Sequence, residues 1–453
     1  MRRIGSTPRM AGRLLSGVLF AFFGSMADAQ EPCAPGAYGI PGEFVVISQS
    51  KAGAGWRYVF LDGRRGDASA VSGPVSCAGS SVVVRRDGNA SETWQPMSFR
   101  STDAEFSSDG TQLKGQLVEP VTPSDGSRPL VVLVHGSEKT AAIGGQLPYV
   151  FAAQGIAVFV YDKRGTGASG GDYTQNFELL ADDAAAALTT ARSIAKGRYD
   201  RAGFYGGSQG GWVAPLAATR SRADFVAVGF GLVVSPIEED HEQLQQEGRA
   251  AGLDAKGMAD VDRLSNATAA LVSSHFESGF EWLETVRREV AATPWAAGIE
   301  GEYSGDIMRM NDADLHRVGR ARFDALGLIW NYDALAALRR LKVPLLWVLA
   351  GEDREAPIAD TRAALSRLIT EHRRVDAFVF PETDHGMMEF TVTPHGQRMT
   401  TRVTDGYFRL VADWIKGRPS GRYGRAERID PSTSRRENDS TRPRASASSV
   451  ERG

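Results

Sequence analysis

Between residues 99 and 235 short, continuous apolar runs alternate with segments of helical spacing. Ala104-Glu105-Phe106, the Asp109-Gly110 turn and Leu113 to Val118 read as a hairpin. Pro129 precedes Leu130-Val131-Val132-Leu133-Val134, an unbroken apolar run that suits a strand buried on both faces. Pro148 to Gln154 reads as a short helix, with proline near its start and Gly155 past its end. Ile156 to Tyr161 is a second buried strand, and from Phe177 the positions Leu180, Ala184, Leu188 and Ala191 follow helical spacing. Ala202 to Tyr205 and Phe225 to Val234 are strands again. This rhythm predicts βαβ units and a mostly parallel sheet flanked by helices.

The rhythm stops at Pro236. Residues 236–338 carry helical segments, many charges and the aromatics Phe276, Phe280, Trp282, Trp295 and Trp330, with no buried-strand run. Val343 to Leu349 resumes the sheet, Val375 to Phe380 adds a strand, and Tyr407 to Ile415 reads as a closing helix. The expected organisation is a core over 99–235 and 339–417, with 236–338 inserted as a helical cap above the strand ends or as a separately packed helical domain. Before the core, residues 30–98 read as a small β-rich module: Phe44 to Ile47, Arg57 to Leu61 and Ser81 to Val84 favour strands, and Asp62-Gly63 and Asp87-Gly88 favour turns. Residues 418–453 are arginine-, serine- and proline-rich, and are expected to be disordered because they hold too little apolar surface to offset ordering entropy.

Composition narrows the class. The chain has 453 residues, 42% of them apolar and 24% charged, enough for more than one folded unit. A net charge of -3 gives no reason to expect a nucleic-acid partner. Residues 1–29 have the three parts of an export signal: Arg2, Arg3, Arg9 and Arg13, then the apolar stretch Leu14 to Phe23, then Ala27-Asp28-Ala29. The apolar stretch is shorter than the ~20 residues a membrane span needs. The expected product is an exported protein, periplasmic or secreted, beginning near Gln30. Its two cysteines, Cys33 and Cys77, either pair or stay as buried thiols, and the sequence leaves both open.

The chemistry concentrates in Gly206-Gly207-Ser208-Gln209-Gly210, a G-x-S-x-G directly after a strand and before the helical Trp212 to Ala218. In that context it reads as a nucleophile elbow: the serine stands on a strained strand-to-helix turn, and glycines at 206 and 210 let the backbone close up. Pro215 falls inside the following helix and is expected to kink or shorten it. Acyl transfer also needs N–H donors for an oxyanion. In an elbow, one is the residue after the nucleophile, Gln209, and the other comes from a loop after an earlier strand, where Ser137 of His135-Gly136-Ser137 is the candidate. His135 is expected to brace that loop. Asp162-Lys163-Arg164-Gly165-Thr166-Gly167 lacks the spacing of a phosphate loop, and its charges are expected to pair locally. No cysteine or histidine spacing indicates a metal. The Asn-x-Ser/Thr triplets at Asn89, Asn266 and Asn438 are short enough to arise by chance.

Together with Tyr161 to Ser169, Gly351-Glu352-Asp353 and Asp384-His385-Gly386, these motifs resemble the α/β-hydrolase superfamily over about residues 100 to 417. They are most similar to secreted or periplasmic bacterial serine esterases and to the catalytic domains of prolyl-oligopeptidase-type peptidases. The resemblance implies an α/β-hydrolase fold, with an inserted helical cap and a small N-terminal β-rich module outside it. It also implies a triad in the chain order Ser208, Asp353, His385, with His385 as base and Asp353 orienting it. Glu352 is the rival acid, and the family spacing favours Asp353. Asp384 reads as a turn residue, and His241, His275, His316, His372 and His395 as structural or exposed. No cofactor is implied, and the partner is a small-molecule ester or acyl substrate; Trp282, Trp295 and Trp330 of the cap are candidate pocket walls, although packing in the cap's own core is the expected role for any one of them. Two alternatives stand beside a carboxylesterase: a peptidase of prolyl-oligopeptidase or aminopeptidase type, whose propeller gate the N-terminal stretch is too short to form, and a non-catalytic binding protein on a hydrolase scaffold.

Overall fold

The computed structural model describes residues 34–50, 55–68, 73–86, 90–121, 128–371 and 373–430. The expected export signal, Cys33, Asn89, His372 and residues 431–453 with Asn438 lie outside them.

β1 (Phe99–Ser108) and β2 (Thr111–Pro120) form a hairpin in register from Phe99 opposite Pro120 to Ser108 opposite Thr111. Its two-residue turn, Asp109-Gly110, has positive φ at both positions, a geometry that glycine and aspartate tolerate. The apolar runs become β3 (Pro129–Val134), β4 (Ala157–Tyr161), β5 (Arg201–Gly207), β6 (Val226–Gly229), β7 (Leu345–Ala350) and β8 (Val375–Phe380). All six are parallel, and β2 joins them antiparallel at β4. The sheet order is β1-β2-β4-β3-β5-β6-β7-β8, with a two-residue strand β9 (Glu427–Arg428) antiparallel at the far edge. This is the α/β-hydrolase fold.

Both faces of the sheet are covered, which is why the central strands are apolar throughout. In β3, Leu130, Val132 and Val134 face a core closed by helices 177–195 and 210–219. Val131 and Leu133 face the other side, with helices 146–152 and 407–415. Each such side chain stabilises the fold by roughly 1.5–3 kcal/mol. The helix Gly210–Thr219 continues across Pro215 rather than ending there, because all its residues from Gly210 to Ala218 are buried and held by packing. The apolar run after Phe225 pairs only as Val226–Gly229, because Phe230 takes a positive φ and turns the chain out of the sheet.

The N-terminal residues form a four-stranded antiparallel sheet (36–40, 43–49, 56–60, 65–68) and a three-stranded one (75–78, 81–85, 91–94). Phe44, Val46, Val59 and Leu61 of the first share a core with Phe151, Phe408 and Val411 of the hydrolase fold. Cys77 is disulfide-bonded; the chain's other cysteine is Cys33.

From Pro236 to Arg340 the described structure is helical. Ser235 and Glu238 form a capping box with Pro236 in the first turn, which starts this insertion sharply. The helices carry a core of their own, including Leu244, Leu264, Leu283 and Trp330. They are tied to the sheet's loops: Gln243 donates to the Glu355 carbonyl, and Glu242 accepts from the Asp360 N–H at 2.9 Å. The expectation of disorder from residue 418 is corrected for 418–430. Tyr423 and Ile429 are buried there, and β9 pairs with Phe378 and Val379, so a few apolar residues anchor an otherwise polar segment.

Candidate active site

The chain order reverses around β3, whose neighbours are β4 and β5, and such a switch point leaves a crevice beyond the carboxyl ends of the strands. Four segments converge there: His135 to Ser137 after β3, Ser208 after β5, Asp353 after β7 and His385 after β8.

Ser208 has φ +52°, a left-handed conformation that costs a non-glycine residue about 1–2 kcal/mol. Its N–H donates to the Gly229 carbonyl at 3.1 Å, and its carbonyl accepts from the Gly211 N–H at 2.7 Å, so strand and helix hold the turn from both ends. A Cβ on Gly206 would stand 2.3 Å from the Gly210 carbonyl oxygen. Gly206→Ala is therefore expected to destabilise the protein by about 1–3 kcal/mol, as overpacking does, measured by denaturant unfolding. A wild-type midpoint would show that the turn can relax at no cost. Gln209 is buried between Ser208 and the helix.

His385 Nε2 lies 3.1 Å from Ser208 Oγ, and its Nδ1 lies 3.0 and 3.2 Å from the two carboxylate oxygens of Asp353. Asp353 is buried and also accepts from the N–H groups of Glu355 and Ala356, at 3.1 and 2.7 Å. Burial raises its pKa, against the lowering effect of the His385 bond. Burial lowers the His385 pKa, but the bond to Asp353 and its charge, then Glu355 and Asp384, outweigh that and raise it overall. Glu352 is turned away and pairs with Arg398 at 2.7 Å. Asp384 accepts from Arg398 and from the N–H groups of Arg354 and His385.

A cavity of 440 Å³ opens beside Ser208. Val134, Leu147, Pro148 and Phe230 give it apolar walls, and Ser137, Glu138, Glu355 and His385 its polar ones. The cap tryptophans are not among its lining residues, which leaves packing, the role expected for any one of them, rather than the pocket wall. Trp330 is buried against Tyr303 at 5.0 Å, Trp282 is 46% exposed, and Trp295 packs on the insertion's own core. An inserted helical unit needs large side chains such as Trp295 and Trp330 to hold its own helices together.

Two residues beside the site carried no recognisable signal in the sequence. The Phe230 ring meets His385 edge-on at 5.1 Å. The Glu355 carboxylate lies 3.5 Å from His385 Nε2, a proximity set only by the turn at Asp353. In the loop after β4, Arg164 pairs with the buried Asp183 at 2.6–2.7 Å. Asp162 instead takes backbone N–H bonds from Ala142, Ile143 and Ala168. His135 meets the Tyr161 ring edge-on at 4.9 Å, and burial, then the Lys163 charge, push its pKa down to about 4, so it is neutral. His241, His275 and His316 bond Ser265, Asp324 and Glu284, and His395 is exposed.

A family model described as serine aminopeptidase, S33, matches residues 125–251, from just before β3 into the first inserted helix. The chain matches no curated protein. Among solved structures it is similar to an esterase from Pyrococcus furiosus (17% identity, 63% of this chain and 84% of that one, TM-score 0.39). It is also similar to the acylaminoacyl peptidase of Pyrococcus horikoshii (16%, 77% and 48%, TM-score 0.40) and to the proline iminopeptidase of Mycobacterium smegmatis (16%, 63% and 91%, TM-score 0.36). At these values none of them bears on the substrate.

Proposed function

We propose that the protein hydrolyses an ester or related acyl bond through an acyl-Ser208 intermediate. The observation that carries this reading is the hydrogen-bonded line Ser208–His385–Asp353 on a serine held at positive φ. Ser208 Oγ attacks the acyl carbon while His385 Nε2 takes its proton. The tetrahedral oxyanion, held by the Gln209 and Ser137 N–H groups, collapses and expels the leaving group, which receives that proton. Water, deprotonated by His385, then attacks the acyl carbon and releases the acid. Asp353 keeps the imidazole in the productive tautomer and stabilises its cation. A 440 Å³ cavity with apolar walls suits a small acyl or aryl group. The test is a p-nitrophenyl ester series beside aminoacyl-p-nitroanilides, with fluorophosphonate labelling. Labelling at Ser208 and ester turnover are expected; an unlabelled protein inert to both series would overturn the reading.

Aminopeptidase action is a second reading, favoured by Glu355, whose carboxylate faces the cavity beside His385. Behind it is the buried Glu239, whose pKa is pushed well up by burial, then by the charges of Glu302, Glu355 and Asp353. An ammonium group bound there would relieve that repulsion. The match to the serine aminopeptidase family model supports this reading too. On it, and at a pH above the acid limb that Glu355 itself helps to set through His385, Glu355→Gln raises KM for aminoacyl-p-nitroanilides by about tenfold or more and spares neutral esters, because a hydrogen bond to a charged group is lost. An equal effect on both series would remove it.

A further inference from the structure

Lys163 is a buried cation that the mechanism above leaves without a role. It follows β4, is 2% exposed, and its Nζ donates to the Gly136 carbonyl oxygen at 2.9 Å. The same ammonium lies 4.7 Å from the centroid of the Tyr173 ring. The Tyr173 hydroxyl in turn donates to the Ser137 carbonyl oxygen. Two successive carbonyls of the loop after β3 are thus held by one connected pair of side chains. Burying an ammonium is costly unless its interactions repay it, and a neutral donor would tie down a loop as well.

We infer that Lys163 and Tyr173 are positioning residues that aim and polarise the Ser137 N–H as an oxyanion donor, an inference that rests on the acyl-Ser208 reading. The Gly136 carbonyl and the Ser137 N–H belong to one peptide unit. That unit is planar and trans, so its oxygen and its hydrogen point in opposite directions. Fixing the oxygen on Lys163 fixes the N–H pointing away from Lys163. Ser137 lines the cavity beside Ser208, and Lys163 is not among the lining residues. A cation at the carbonyl oxygen also draws electron density from the amide nitrogen, through the resonance that keeps the unit planar. The N–H becomes a stronger donor. Tyr173 fixes the next peptide unit, so rotation is resisted on both sides of Ser137. A donor already in place costs no reorganisation when the oxyanion forms.

The experiment compares wild type, Lys163→Met and Tyr173→Phe on the best p-nitrophenyl ester, with a trifluoromethyl ketone of the same acyl group as inhibitor. Ser208 Oγ adds to that ketone carbon, its proton passes to His385, and the ketone oxygen becomes the oxyanion. Lys163→Met is expected to lower kcat by about 10²-fold, as losing one oxyanion donor does. KM should be little changed, and ketone affinity should fall by the same factor as kcat. Tyr173→Phe should lower both quantities by up to about tenfold, the worth of one hydrogen bond. A folded Lys163→Met protein with wild-type kcat and ketone affinity overturns the inference, and so does a kcat loss without a loss of ketone affinity. If Lys163→Met does not fold, Tyr173→Phe decides, and wild-type values there overturn the inference. Failure of the acyl-Ser208 reading looks different: the wild-type protein itself is then not labelled at Ser208 by a fluorophosphonate.

Discussion

Ser208→Ala is expected to leave the protein folded and to lower turnover by about 10⁴–10⁶. The substitution removes one oxygen and keeps the Cβ, so alanine meets the same backbone constraint at φ +52° that serine already bears. The lost atom's hydrogen bond is to His385 Nε2, on the solvent-accessible side of the site, and no buried packing depends on it. The melting temperature should therefore move by no more than about 2 °C, the shift of a fraction of a kcal/mol in a chain of this size. Turnover should fall far more, because the atom that forms the acyl bond is gone and only direct attack by water past the remaining donors is left. Purified Ser208→Ala with near-wild-type turnover and a normal melt would remove Ser208 from the chemistry.

What the sequence made legible follows the physics of each segment. β3, β4 and β7 could be read because a strand covered on both faces must be apolar throughout, and a continuous apolar run is visible without knowing its partners. The turn at Ser208 could be read because Gly206 is demanded by backbone atoms of Gly210, only a few residues away. Where the deciding partner is remote, the reading stopped. Glu352 and Asp353 are neighbours of the same charge, and what separates them is Arg398, 46 residues later, which takes Glu352. Glu355 enters the cavity only because the turn closed by the Glu355 and Ala356 N–H bonds to Asp353 carries it there. The run Phe225 to Val234 looked like one strand because hydropathy does not register the positive φ at Phe230. Trp330 carried two readings, pocket wall and helical core, because composition cannot tell an aromatic that faces substrate from one that closes a core, and it lies in the core. Tyr423 and Ile429 were averaged away by their polar neighbours, although two buried residues and one short edge pairing are enough to order that stretch.

Asp353→Asn is expected to keep the geometry and still lower turnover by about 10⁴, the loss seen in the best-known serine-protease case. An asparagine oxygen can go on accepting the Glu355 and Ala356 N–H bonds, which leaves its NH₂ facing His385 Nδ1. Nδ1 must then accept a hydrogen bond, so the imidazole proton moves to Nε2, the atom that has to accept from Ser208. The pH profile should move as well. In the wild type, burial lowers the His385 pKa, but Asp353, helped by Glu355 and Asp384, lifts it above the ordinary value of about 6.5. The reaction needs the neutral ring, so kcat/KM should be low in acid and rise through that lifted pKa. In Asp353→Asn the main lifting group is gone and burial remains, so the acid limb should shift to lower pH even as the plateau falls. Profiles of kcat/KM from about pH 5 to 9 read both effects together. Glu352→Gln, which loosens only the tie to Arg398, should leave plateau and limb near wild type. If Glu352→Gln is the severe variant and the Asp353→Asn limb stays where it was, the carboxylate that orients His385 has been misassigned.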